Sequence, residues 1–365
     1  MQKLEDFKCE ISKCSKCGLC QSVCPIYKLT GNDCAVSRGK FVMLEGVLKG
    51  DLKLNKNINK YLDLCLKCNK CSDFCPSAID VCEIFETAKY EYVKNTFWGK
   101  FVFFLESKFV FGNFLKIGKF LKKIMLSNSR FNVKEGVAKQ QVRGEDLKLL
   151  YFKGCVNNIF PQADRFLHRL FDNSNVEIIE KDFDCCGLPF LSSGNLERFE
   201  EVKKHNLALM DCDFDYILTD CASCESTLKT YSNSDFINLG ELVAQQDIKF
   251  KFQKPIKVTF HKPCHLENDD FWQKILANCE NVEYVKMRDY DECCGFSGEF
   301  TIKNPKIATQ LMKQKAQNAA ETEADYVVTT CPACVIGLKL GLLGIKKSPK
   351  VVSLSDFLSL ASIKY

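Results

Sequence analysis

The chain has 365 residues, 46% of them hydrophobic, with 23 cysteines and a formal net charge of +5. A chain of this length and apolar content buries substantial cores without covalent staples, which sets aside a small disulfide-rich scaffold. The slight positive charge comes without the aromatic and basic module of a nucleic-acid reader, and no apolar run approaches the roughly 18 residues that a membrane span needs.

The first ten residues, MQKLEDFKCE, are polar and hold no apolar signal core, so the predicted compartment is reducing, the cytoplasm. Residues 1–90 then carry Cys14-x2-Cys17-x2-Cys20-x3-Cys24-Pro25 and a second copy, Cys65-x2-Cys68-x2-Cys71-x3-Cys75-Pro76. This is the run of bacterial two-cluster ferredoxins, in which three closely spaced cysteines hold one 4Fe-4S cube and the fourth crosses to the other. It assigns Cys14, Cys17, Cys20 and Cys75 to one cubane cluster and Cys65, Cys68, Cys71 and Cys24 to the second. Short cysteine loops aim backbone amides at anionic sulfurs, and the proline turns the chain away after the fourth ligand. A zinc site would instead close with four ligands from two Cys-x-x-Cys pairs. Between the two runs, SRGKFVMLEGVLKG places apolar residues at helical spacing, which predicts an all-helical ferredoxin-like domain in preference to the compact β-rich kind.

Residues 91–145 contain no cysteine. From Tyr92 to Lys134 they hold nine Lys or Arg and a single acid, Glu106, among many Phe. Such a segment predicts either a helical linker whose apolar residues pack on neighbouring domains or a peripheral contact with a membrane surface.

Residues 146–250 and 251–365 repeat one another. A lone cysteine, a Cys-Cys-Gly and a Cys-x-x-Cys occur as Cys155, Cys185, Cys186, Cys221 and Cys224 and again as Cys264, Cys293, Cys294, Cys331 and Cys334, offset by 109, 108 and 110 residues. Each half reads strand (KLLYF, KVTF), cysteine, helix, strand (VEIIE, VEYVK), Cys-Cys-Gly, long helix, strand (DYILT, DYVVT), Cys-x-x-Cys, helix. That alternation predicts two α/β lobes with mainly parallel sheets, so the whole chain is expected to be an α+β multidomain protein. The cysteines fall just past strand ends, where such folds place ligands. Gly187 and Gly295 would let the backbone turn closely round a cofactor. Five thiolates per lobe are one more than a simple cube requires.

The paired Cys-Cys-Gly domains resemble those of the B and D subunits of heterodisulfide reductase, and their fusion to a two-cluster ferredoxin domain resembles the iron-sulfur subunits of glycolate oxidase, lactate utilisation and anaerobic glycerol-3-phosphate dehydrogenase. SRGKFVMLEGVL and CCGFSGEFTIKNPKIA are most similar to the glycolate and lactate branch. The resemblance implies an accessory subunit that takes electrons from an FAD-binding 2-hydroxy-acid dehydrogenase subunit and passes them to quinone or another acceptor; the expected location is the cytoplasm, either free or peripheral on the inner face of the cytoplasmic membrane. It also implies one or two further 4Fe-4S clusters, cubane or non-cubane, in the Cys-Cys-Gly lobes. The complete Cys-x-x-Cys pairs in both lobes keep the heterodisulfide alternative open, in which a non-cubane cluster works directly on a disulfide.

His261 and His265 bracket Cys264 in HKPCH and are the candidate catalytic residues, able to tune a cluster or carry a proton, or simply to brace the loop. Cys9, Cys34, Cys82, Cys212 and Cys279 lie outside the motifs and read as small apolar residues, with Cys34 and Cys82 nearest the ferredoxin runs. Asp184, Asp291 and Glu292 read as loop acids. The chain carries no Gly-x-Gly-x-x-Gly, no Walker loop and no Cys-x-x-Cys-His, so substrate oxidation is expected on a partner.

Overall fold

A computed structural model of the chain describes residues 2–96, 147–157, 162–171, 175–246 and 248–364. Beyond residue 96, the aromatic and basic segment lies outside the described residues. The chain divides into two compact units. The first combines the N-terminal residues, within Met1–Phe111, with Gly187–Glu200 and Glu292–Lys313; the second combines Gly112–Cys186, Glu201–Asp291 and Gln314–Tyr365.

Up to residue 96 every described element is helical, as the spacing predicts. Of the two longest helices, Ser37–Leu48 and Val81–Lys94, the second starts at a defined signal. Asp80 accepts from the Cys82 and Glu83 amides, and Asn55 caps the intervening Lys56–Leu62 helix in the same way. Phe41 and Leu44 of the first helix meet Ile84 and Phe85 of the other in one core, with the Phe41 and Phe85 rings 5.4 Å apart. Gly39 allows this placement, because a Cβ there would stand 2.0 Å from the Asp33 carbonyl oxygen. The Val81–Lys94 helix also packs on the helix Leu188–Ser193 in the same unit. There the buried Lys89 ammonium reaches Asp63 and Glu299, each at 2.9 Å, and donates to the Ser192 carbonyl.

The second unit holds two sheets of the same design. Strands β1 (Leu147–Phe152), β2 (Val176–Glu180), β3 (Tyr216–Thr219) and β4 (Phe236–Asn238) form a parallel sheet in the order β2-β1-β3-β4. Strands β5 (Lys249–Phe260), β6 (Cys279–Tyr284), β7 (Tyr326–Thr329) and β8 (Lys350–Ser353) repeat that order as β6-β5-β7-β8, and β9 (Ser362–Lys364) pairs antiparallel with β5. The duplication seen in the cysteine offsets is thus a duplication of topology. The lobes share one apolar core, in which Trp272 stacks on Phe260 at 4.8 Å and Phe252 on Phe357 at 4.9 Å. Their helices pack reciprocally: Leu239–Gln245 of the first lobe lies against Asp270–Ala277 of the second, and Gln162–Phe171 of the first against Leu354–Leu358 of the second.

Candidate metal centres

The two N-terminal cysteine loops have the same backbone. Lys16 and Gly18 in one, and Lys67 and Asn69 in the other, occupy equivalent positions and all have φ between 57° and 85°, the left-handed region. Alternating right- and left-handed residues turn successive amides inward and build a concavity for anions. Two cavities result. One is lined by Cys14, Cys17, Cys20 and Cys75, the other by Cys24, Cys65, Cys68 and Cys71, with Cys71 also reaching the first. The fourth cysteine of each run thus lines the cavity of the opposite loop.

Burial pushes the thiols of Cys20 and Cys24 up and that of Cys71 up to about 12, so these side chains would be protonated unless a cation shared the cavity. Cys17, at the exposed end, is pulled down by the Leu19 amide. Cys82 lines the second cavity and hydrogen-bonds the Cys65 sulfur, a contact that draws the Cys65 thiol well below its ordinary value. All-thiol donor sets of this kind, ringed by amides, fit four-iron clusters.

In the second unit, sulfur-to-sulfur contacts run from Cys155 to Cys185, at 3.9 Å, and onward through Cys186, Cys224, Cys221 and Cys331 to Cys334. Five of these seven belong to the first lobe and two to the second; Cys221 and Cys331 are equivalent positions, so the row crosses between lobes at the point where the duplication is self-opposed. The backbone is tied in the same place, the Ala222 amide donating to the Thr330 carbonyl at 3.1 Å. Contacts with Cys155 and Cys186, together with burial, hold the Cys185 thiol well above its ordinary value. Gly154, with φ +70°, brings bare backbone against Cys224: a Cβ there would sit 3.0 Å from its sulfur. Cys293 and Cys294 belong to the first unit and are buried, whereas Cys264 belongs to the second and is half-buried.

Several supporting residues carried no sequence signal, because their partners are distant in the chain. Asn206 accepts from the Asp184 amide at 3.0 Å and donates to the Cys185 carbonyl at 3.0 Å, while Tyr231 donates to the Cys186 carbonyl at 3.3 Å. Ser223 lies between the candidate histidine His265, 2.9 Å from its Nδ1, and Cys331, 3.6 Å from its sulfur. Asp220, next to Cys221, accepts from Asn157, and burial pushes its carboxyl up to about 8. His261 is wholly buried, which holds its imidazole well below its ordinary value. Its Nδ1 donates to the Tyr290 carbonyl at 3.2 Å, and one ring nitrogen lies within 4.8 Å of the Cys334 sulfur. The glycines of the doublets answer to a crowding that the motif did not disclose. Gly187 and Gly295 have φ of 102° and 83°, and a Cβ would stand 2.5 Å from the Phe199 ring and 2.6 Å from Leu311 respectively.

Residues 10–79 match the 4Fe-4S dicluster domain, and residues 149–229 and 258–339 each match the cysteine-rich domain named for its Cys-Cys-Gly. Together the matches span well over half of the chain, which carries a 4Fe-4S dicluster domain followed by two copies of the cysteine-rich domain. The chain is 22% identical to the probable glycolate oxidase iron-sulfur subunit of Bacillus subtilis, covering 96% of this chain and 93% of that protein. It is 23% identical to one subunit of the dihydromethanophenazine:CoB–CoM heterodisulfide reductase of Methanosarcina acetivorans, covering 94% and 91%. Lactate utilization protein A of Oceanobacillus iheyensis is 26% identical over 58% of this chain and 97% of its own length. A crystal structure of a hypothetical protein from Helicobacter pylori aligns over 88% of this chain and 67% of its own, with a TM-score of 0.51 and 10% identity, a likeness of fold. Among the described residues no helix is long and apolar enough to cross a membrane.

Proposed function

We propose that the protein is the iron-sulfur electron-transfer subunit of a flavin-dependent 2-hydroxy-acid dehydrogenase, with glycolate or lactate as substrate, relaying electrons from an FAD-binding partner towards quinone. The observation that carries this reading is the sorting of eight N-terminal cysteines into two crossed sets of four, in a chain similar over nearly its whole length to a glycolate oxidase iron-sulfur subunit. In this reading Cys14, Cys17, Cys20 and Cys75 hold one cluster and Cys24, Cys65, Cys68 and Cys71 the other. The cysteines of the two lobes, Cys155, Cys185, Cys186, Cys221 and Cys224 with Cys264, Cys293, Cys294, Cys331 and Cys334, hold one or two more. Bound clusters supply one-electron transfer. The residues of the chain space them, donate hydrogen bonds to sulfur and keep water from them.

One observation favours a second reading. The unbroken row of thiols across the lobes, with the raised Asp220 carboxyl beside it, suits a heterodisulfide-reductase-like activity. A disulfide there would take two electrons from a reduced donor, by way of a non-cubane 4Fe-4S cluster held by these cysteines, and with two protons would leave as two thiols.

Anaerobic purification and metal analysis provide the first test. About 16 iron atoms per chain are expected if all four sites hold four-iron clusters, and stoichiometric zinc would overturn the assignment of the lobes. With a copurifying flavoprotein, glycolate- or lactate-dependent quinone reduction should collapse in Cys71→Ser; undiminished activity would refute the relay. Viologen-driven disulfide reduction by the chain alone, without hydroxy-acid oxidation in any complex, would establish the second reading in its place.

A further inference from the structure

Lys40 is among the most deeply buried side chains of the protein, at 2% exposure. Its ammonium donates to the Leu64 carbonyl at 2.8 Å and stands 5.0 Å over the Phe85 ring. Neither partner carries a charge, and among the described residues no carboxylate lies within 4.0 Å of it. The other buried lysines of this unit are arranged differently: Lys67 meets Glu86 at 2.7 Å, and Lys89 meets Asp63 and Glu299. A buried ammonium with no anion is expensive, so one is expected nearby. The cavity that Lys40 lines is the one lined by Cys24, Cys65, Cys68 and Cys71.

We propose that Lys40 is the counter-ion of the cluster held by Cys24, Cys65, Cys68 and Cys71 and makes it the higher-potential cluster of the N-terminal unit. The proposal rests on the ligand assignment of the proposed function. A four-iron cube with four thiolate ligands is an anion whose charge grows by one when it takes an electron, with no bond made and no proton moved on the protein. A fixed cation therefore stabilises the reduced form more than the oxidised one, and burial leaves that effect weakly screened. Among the described residues the other thiol set has no equivalent group. The cations lining its cavity, Lys16 and Arg38, have side chains 49% and 34% exposed, and each is held by a carboxylate, Glu45 at 2.8 Å and Asp33 at 3.1 Å. The position of Lys40 is enforced by its helix, anchored through buried Phe41 and Leu44 and through the close approach at Gly39.

The test is an anaerobic redox titration of the full chain, reduced with dithionite and followed by electron paramagnetic resonance. Cys68→Ser marks which signal belongs to the Lys40 cluster. In Lys40→Met that signal should need a lower potential: the reduced-to-oxidised ratio at a fixed potential falls at least tenfold, about 59 mV for one electron, while the other signal stays in place. Lys40→Arg, which keeps the charge, should restore the original value. An unmoved signal in a Lys40→Met chain of full iron content would overturn the proposal. If Lys40→Met assembles no cluster, the unsubstituted chain decides: the marked signal must be the higher in potential, and finding it the lower one sinks the idea. A chain without iron at these cysteines would instead refute the ligand assignment, a result metal analysis reads separately.

Discussion

Lys89 and Lys40 are both buried ammonium groups, but only Lys89 is neutralised by protein carboxylates. Burial alone would lower Lys89; the carboxylates of Glu299 and Asp63 more than reverse this and leave it raised above its ordinary value. Lys89→Ala leaves Asp63 and Glu299 with Lys303 as their remaining cation and should destabilise the protein by about 1–3 kcal/mol, read as a lower urea midpoint under anaerobic conditions. Because the folded state holds this proton more tightly, the stabilisation is fully present below the unfolded lysine value and is lost only as pH rises through the folded one. The loss in Lys89→Ala should therefore be constant from about pH 6 to about pH 9. Ser223→Ala makes a different prediction. It removes a hydroxyl from the Cys331 sulfur without opening the core, so the potential of any cluster bound at Cys331 should move to a more negative value with little change in melting temperature. The cysteines themselves were plain in the sequence because each fixed spacing stands for one chemistry. Lys40 was not, since a lysine in SRGKF reads as surface until the Leu64 carbonyl and the Phe85 ring, 24 and 45 residues away, are folded over it.

Among elements, the two N-terminal loops show how one conformation is reached by different residues. Gly18 adopts its left-handed φ at no steric cost, while Asn69 is among the few other residues that tolerate it. The crossing of the fourth ligand makes a prediction at this scale: Cys75→Ala should remove about four iron atoms and the signal of the Cys14, Cys17 and Cys20 cluster, leaving intact the signal marked by Cys68→Ser. The doublet turns differ in what a side chain would strike. At Gly187 the nearest neighbour is a Phe199 ring that can swing, whereas at Gly295 it is Leu311 Cβ and the Met312 amide, which are backbone or adjoin it. Gly295→Ala should accordingly lower the melting temperature more than Gly187→Ala, by the strain of a left-handed residue and a fixed clash together, about 1–3 kcal/mol. The strands beside the cysteine motifs were legible from their apolar runs. β4, β8 and β9 were not, being three or four residues long and defined by their pairing rather than by pattern.

At the scale of the molecule, duplication gives the second unit its core. Gly240 is a point of close approach between the lobes, where a Cβ would stand 2.3 Å from the Phe271 ring. Gly240→Val should cost about 1–3 kcal/mol by overpacking, visible as a lower thermal midpoint with the iron content unchanged. Sequence offsets reveal that there are two lobes, but the way one packs on the other depends on side-chain shapes at Gly240, Phe271 and Trp272, which no spacing encodes. The reciprocal packing of Leu239–Gln245 on Asp270–Ala277 and of Gln162–Phe171 on Leu354–Leu358 has the form of an isologous dimer, in which each half offers the patch that it receives. A gene encoding a single lobe would thus have yielded a product with a bare apolar face, stable only as a pair; fusion of two copies made that partnership permanent and left each half free to diverge.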